Sequence, residues 1–255
     1  MKNIIIICQP WGGLGDNLQY STLPELFSIN GYDVYISINN VVRNPEIFDL
    51  VWKRNPYIKG FANGTPNAGE CKNIFWPPEE ENEYMIHRIE RSHNLPKTNL
   101  YPKIYYTPNY IQELSNHILI DLTGSSQVYE ISKYKEYIDY FTPRIINTNK
   151  TIKIITFQKI NPVKIFNDVY QYLKQKINNI EYFTIESLIH YCDVIKSCDT
   201  IIVVNSGINS LAAAIKQDAL TPNVLCYNPW AHFSPQKIKG HYNYKNVEYY
   251  QSKIH

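Results

Sequence analysis

Two short stretches of this chain bring together residue types that can do chemistry. The first is Gly12-Gly13-Leu14-Gly15-Asp16-Asn17, which follows the apolar run Ile4–Cys8. Glycines at the end of a buried strand let backbone approach a ligand closely, and the start of the following helix favours negative charge. A carboxylate in such a turn has two plain roles. Asp16 can cap the helix, or it can accept the proton of a hydroxyl that is becoming a nucleophile. The second stretch is Asn205-Ser206-Gly207-Ile208-Asn209-Ser210, between the apolar run Thr200–Val204 and an alanine-rich segment. Its local reading is a buried strand, a Ser/Gly turn and a helix packed tightly on a sheet. Its functional reading is a diphosphate site, with helix N–H groups and the hydroxyls of Ser206 and Ser210 on the phosphate oxygens.

A dinucleotide-binding reading of the first stretch fails on its own pattern. Gly13-x-Gly15 is followed by Leu18 where a third glycine belongs, and the second strand runs out in Ser37-Ile38-Asn39 without an acidic residue for a ribose.

The elements that must position these residues alternate between strand and helix. Ile4–Cys8 reads as a strand buried on both faces, followed by a helix to about Ile29, a stop at Gly31 and a strand over Val34–Ile38. That is a βαβ unit with a right-handed crossover. Asn55–Pro78, rich in Asn, Gly and Pro, reads as loop. Glu79-Glu80-Glu81 reads as a solvated charge cluster, Tyr84–His93 as a short helix and Lys97–Pro108 as an extended connector. The pattern then restarts. Strands are expected over Ile118–Leu122, Thr151–Phe157, Thr200–Val204 and Asn223–Tyr227, with helices over Ser187–Ser197 and Asn209–Gln217. The chain therefore divides into two α/β halves, 1–115 and 116–255, each with a parallel sheet covered by helices.

Composition limits the partners. With 255 residues, 44% hydrophobic and 19% charged, the chain is an ordinary globular one, and a net charge of +2 gives no argument for nucleic acid. Five cysteines, an odd number without C-x-x-C spacing, argue against a disulfide framework and for a reducing compartment. The N-terminal apolar run is too short for a signal peptide, and nothing approaches the roughly 18–20 apolar residues of a membrane span. A cytoplasmic location is expected, with membrane contact only at a surface.

The run Gly12–Leu26, with Gly13-Leu14-Gly15-Asp16-Asn17-Leu18 and Thr22-Leu23-Pro24, followed by Gly31-Tyr32-Asp33-Val34, resembles the N-terminal signature of the ADP-heptose:lipopolysaccharide heptosyltransferases, glycosyltransferase family 9. The run from Ser197-Cys198-Asp199 through Asn205-Ser206-Gly207 to Leu211-Ala212-Ala213-Ala214 resembles the donor-side motif of the same family. Two positions depart from it. Asn205 stands where the family has Asp, and Ser210 where it has His, and both changes remove an ionisable group.

The resemblance implies a GT-B-like α/β fold of two Rossmann-like lobes facing a cleft. The first lobe would take the acceptor and the second the nucleotide sugar. It implies that Asp16 is the general base of an inverting sugar transfer onto a glycan or glycolipid, such as a lipooligosaccharide, at the inner face of the membrane. Substrate contact is expected from Trp11, Gly13, Leu14, Gly15 and Asn17 in the first half, and from Thr123, Lys159, Glu186, Asn205, Ser206, Gly207 and Ser210 in the second.

Several of these have an ordinary alternative. Lys159 can reach phosphates or be a solvated lysine, Glu186 can hold donor hydroxyls or serve the helix dipole, and Thr123 can line the cleft or simply turn the chain. His87, Arg88, Arg91 and His93 read as a solvated helix face or as a site for an acidic glycan. Trp230 and His232 are candidates to stack on a base or sugar. No Asp-x-Asp triplet is present, so no metal and no cofactor beyond the nucleotide-sugar co-substrate is expected. Nucleotide-sugar epimerisation and a non-catalytic nucleotide- or glycan-binding role on the same fold are the alternatives.

Overall fold

The computed structural model describes residues 3–9, 11–63, 83–122, 131–146, 151–157, 164–177, 179–217, 223–228 and 244–251. They divide into two compact units, the first built on residues up to Thr107 with Tyr244 and Lys245, the second on the remainder from Pro108. Both are α/β, and every strand pairing in both is parallel.

The first unit holds a three-stranded sheet in the order β1 (Asn3–Ile7), β2 (Tyr32–Ser37), β3 (Ile58–Ala62). Ile5, Ile7, Val34 and Ile36 are buried, and helix α2 (Leu23–Ile29) packs against β1 and β2 through Leu23 and Phe27. The expected single helix to Ile29 is two helices. Helix α1 (Leu14–Tyr20) stops at Ser21, and α2 restarts with Pro24 in its first turn. A proline is tolerated there because the N–H it lacks has no intrahelical partner anyway. Gly31 follows α2 at φ +87°, the left-handed conformation that ends a helix. Strand β3 corrects the loop expected from Asn55 onward. Gly60 allows the Tyr35 ring to lie 3.3 Å from where a Cβ would stand, at a register shift between Val34 and Tyr35. Beyond β2 come the short helix α3 (Pro45–Phe48), a π-helical turn over Asp49–Lys53 and, later, α4 (Met85–Ser92).

The second unit holds a six-stranded sheet. Its strands are β4 (His117–Asp121), β5 (Thr151–Phe157), β6 (Ile180–Ile185), β7 (Thr200–Val204), β8 (Val224–Asn228) and β9 (Val247–Gln251), in the order β6-β5-β4-β7-β8-β9. Helices α5 (Ile131–Ile146) and α6 (Lys164–Lys174) lie on one face, where Ile118, Ile120, Leu122, Ile202 and Val204 meet Tyr137, Phe141 and Leu173. Leu119, Ile201 and Val203 point the other way, as strand alternation requires. That face is packed by α7 (Leu188–Ser197) and α8 (Gly207–Ile215). Alanines 212–214 leave α8 no bulk to hold it away from β7.

Counted from its own first strand, this order is 3-2-1-4-5-6, the doubly wound arrangement. Its direction of winding reverses between β4 and β7, and ligands bind outside the carboxyl ends of the strands at such a reversal. Of the described residues, no helix is long and apolar enough to cross a membrane.

Candidate functional site

In the first unit the glycine turn leaves the carboxyl end of β1 and opens α1. Asp16 occupies the third helical position, and its Oδ2 accepts the Gly13 N–H at 3.2 Å. This is the helix-capping geometry, and it fixes the carboxylate over the turn while leaving it partly exposed. A Cβ on Gly13 would stand 2.6 Å from that oxygen, so Gly13 is glycine because of Asp16. Gly12 is hemmed from the other side. A Cβ there would meet Arg43 Cγ at 3.0 Å and Val41 Cγ1 at 3.2 Å, and the Gly12 carbonyl accepts the Arg43 N–H at 2.8 Å. Leu14 is half-buried and Gly15 is buried within α1.

Asn17 was expected among the substrate contacts. It is fully buried beneath the turn. Its Nδ2 donates to the carbonyls of Gly13 (2.8 Å) and Trp11 (3.2 Å), and its Oδ1 accepts the Trp52 indole N–H at 2.8 Å. These bonds tie the glycine turn to the buried Trp52. Two further groups do similar work and were not singled out in the sequence. Buried Gln9 donates its side-chain amide to the Trp11 carbonyl, and Asn40 takes the Gln9 N–H at 2.8 Å. A polar residue just beyond a strand end is the signal that marks them. The Trp11 side chain itself stays 41% exposed.

In the second unit, Asn205, Ser206 and Gly207 follow the carboxyl end of β7, at the reversal point of the sheet. Ser206 caps α8, its Oγ accepting the Ile208 N–H at 3.4 Å and its carbonyl accepting the Asn209 N–H at 3.1 Å. Its hydroxyl proton remains able to donate to a ligand. The Gly207 N–H sits at the first helical position, where no intrahelical carbonyl can satisfy it. Asn205 is buried, and its Oδ1 accepts from Asn209 Nδ2 at 3.3 Å. Ser210, expected at the phosphates, is fully buried within α8.

Across the reversal point, β4 ends in Asp121, also buried, which accepts the Tyr191 hydroxyl. Burial first, and Asp121 second, push the Tyr191 hydroxyl well above its ordinary pKa. Asp121 has no distinguishing context along the chain, because its partner lies 70 residues away. Glu186 is exposed at the carboxyl end of β6, the outer strand, and its N–H donates to His190 Nδ1 at 3.3 Å. Thr123, Lys159, Trp230, His232 and the Glu79–Glu81 cluster lie outside the described residues.

The basic cluster on α4 is not a solvated face. Arg88 and His93 are buried, and Arg91 pairs with buried Glu83 through two hydrogen bonds of 2.9 and 2.8 Å. Burial also lowers the pKa of His93, whose Nδ1 lies 2.7 Å from the Ile89 carbonyl. His87 and Arg91 are half-buried. The fully buried Glu90 beside them takes the Thr98 N–H at 3.0 Å and Asn99 Nδ2 at 2.6 Å, fixing the chain that leaves the helix.

No family model and no curated protein matches this sequence. Solved structures do match in fold. E. coli heptosyltransferase WaaC with ADP superposes with a TM-score of 0.54 at 12% identity, over 98% of this chain and 93% of that one. A glycosyl transferase family 9 protein from Veillonella parvula gives 0.60 at 10% identity, over 98% and 86%. TibC from enterotoxigenic E. coli gives 0.59 at 13% identity, over 96% of this chain but 64% of that one.

The expectation of no metal and no cofactor beyond the nucleotide-sugar co-substrate is overturned by TibC, described as an iron-containing dodecameric glycosyltransferase. Among the described residues here, no group of three or more His, Cys, Asp or Glu side chains is arranged to hold a metal ion, so these residues do not fit an iron site. Both sheets, and both motifs at their carboxyl ends, thus sit in a chain whose fold is like that of the heptosyltransferases of glycosyltransferase family 9.

Proposed function

We propose that the chain is a glycosyltransferase of the two-lobed GT-B kind. In this reading it moves a sugar from a nucleoside diphosphate sugar to a hydroxyl of a glycan or glycolipid, with the first unit serving the acceptor and the second the donor. The observation that carries it is the position of both motifs, each at the carboxyl end of a parallel sheet and the second at a winding reversal.

The chemistry assigns each group a task. The acceptor hydroxyl attacks the anomeric carbon as its bond to the diphosphate oxygen breaks. Asp16 takes the hydroxyl proton, and the diphosphate leaves with the bonding electrons. Attack opposite the leaving group inverts the anomeric centre. The Gly207 N–H, the Ser206 hydroxyl and the positive end of α8 offset the charge that builds on the departing diphosphate. The work would take place in the cytoplasm, at the membrane face where glycolipid acceptors are presented.

The test joins binding to turnover. ADP, UDP, GDP and CDP are screened by thermal shift, since a ligand that binds only the folded chain raises its melting temperature. The ADP carried by the WaaC structure makes ADP the first choice. Release of nucleoside diphosphate from the matching nucleotide sugar is then measured with and without acceptor glycans. Asp16→Asn is expected to keep the thermal shift and to lose roughly 10²–10⁴-fold in rate, the usual contribution of a positioned base. Full activity in Asp16→Asn would sink the mechanism. Asn205 and Ser210 favour a second reading, because they leave this half-site without the two ionisable groups of the family motif. A shift with nucleoside diphosphate and no turnover with any acceptor would make the chain a nucleotide-binding protein.

A further inference from the structure

We propose that Trp11 is the platform on which a pyranose ring of the acceptor stacks, presenting one of its hydroxyls to Asp16. The assignment rests on reading the chain as a sugar transferase and adds the acceptor's binding chemistry to it. An exposed indole alone means little, since single exposed apolar residues are common. Trp11 differs in how it is held. Its carbonyl receives hydrogen bonds from two buried side-chain amides, those of Gln9 and Asn17. Asn17 is in turn locked by Trp52, and the Gln9 backbone by Asn40. Three buried side chains, Gln9, Asn17 and Trp52, thus hold the backbone beneath an indole that is itself 41% exposed and gains no packing from them.

The surroundings fit a sugar. Val41, 56% exposed, and Arg43 close on Gly12, the next residue, which puts an apolar and a cationic side chain beside the turn that carries Trp11. An aromatic face beside hydrogen-bonding groups matches a pyranose, which has a C–H face and a rim of hydroxyls. Trp11 is two residues from Gly13, whose N–H fixes Asp16. Two residues span at most about 7 Å, so a ring seated on the indole carries its hydroxyls to the turn that holds the carboxylate. Trp11 also lies beyond the carboxyl end of β1, where parallel sheets bind their ligands.

The experiment uses the full chain, with the indole N–H resonances followed by NMR and Trp11 identified from a Trp11→Phe variant. Methyl β-D-glucopyranoside and methyl β-D-galactopyranoside are the probes. The expected result is a saturable shift of the Trp11 resonance with at least one glycoside. Trp11→Ala is expected to weaken binding about tenfold or more, while Trp11→Phe stays within about threefold of the parent. In the transfer assay, Trp11→Ala is expected to raise the acceptor KM and leave the donor KM unchanged. A saturable shift that spares Trp11, no binding by either glycoside, or unchanged binding by Trp11→Ala overturns the platform. The thermal shift with ADP separates this outcome from failure of the transferase reading. ADP binding without a Trp11 response removes only the platform, whereas a Trp11 response without binding of any nucleoside diphosphate leaves the sugar site and removes the transfer.

Discussion

Replacing Gly13 by Ala should disarm Asp16 without unfolding the chain. The backbone at Gly13 has φ −76° and ψ 155°, an extended conformation that alanine adopts without strain. The added Cβ, however, would stand 2.6 Å from Asp16 Oδ2 and 3.6 Å from its Cγ. The carboxylate must retreat by several tenths of an ångström, and its 3.2 Å bond to the Gly13 N–H is lost. Losing a helix-capping bond costs about 1 kcal/mol. Removing a glycine's freedom from the unfolded chain returns about 0.4–1 kcal/mol. The net effect is small, and the melting temperature should move by no more than about 4 °C. Catalysis is far less forgiving, because a misplacement near 1 Å can cost about 10²-fold. Nucleoside diphosphate release in the presence of donor and acceptor should therefore fall about 10- to 100-fold, no lower than in Asp16→Asn, with the thermal shift from nucleotide intact. Full activity in Gly13→Ala would refute the coupling between the turn and the base role proposed for Asp16. A collapse in melting temperature would refute the claim that the clash falls on the carboxylate alone.

Asn17→Ala strips a fully buried hub of three hydrogen bonds and strands the Trp52 N–H, so it should destabilise the chain by roughly 2–4 kcal/mol in a urea melt. Gly31→Ala has open space for its Cβ but a φ of +87°, so its cost is backbone strain alone, about 1–2 kcal/mol, with activity kept. Lys216 is held near a pKa of about 8, against an ordinary 10.5, chiefly by burial at the end of α8, where its ammonium donates to the Cys198 carbonyl. Between those two values the unfolded chain binds more protons than the folded one. Stability should therefore rise with pH across that window, by up to roughly 3 kcal/mol. Lys216→Met should lack this component of the rise in urea midpoints measured from pH 7.5 to 10.

The sequence by itself determined the two motifs and their order, because each is a local event. An apolar run, a turn of small residues and a helix start lie within about fifteen residues at Ile4–Leu18 and again at Thr200–Ala214. The stop at Gly31 was legible for the same reason, since backbone restrictions act at the residue that carries them, whereas the break into two helices before Pro24 was not read. The strand β6, with Ile180-Glu181-Tyr182-Phe183-Thr184-Ile185, and β9, with Val247-Glu248-Tyr249-Tyr250-Gln251, were not read as strands. Only pairing with β5 and β8 makes them so. The α4 cluster was misread because charge in a sequence looks solvated until tertiary partners such as Glu83 bury it. Strand order, which puts Asn205 and Asp121 on either side of the winding reversal, was likewise decided by the fold alone, because hydrogen bonds between strands join residues some eighty positions apart. So was the division of labour within the motifs. Their residue types were written in the chain, but burial turned Asn17 and Ser210 inward and left Asp16 and Ser206 at helix starts, and burial is a property of everything packed around them.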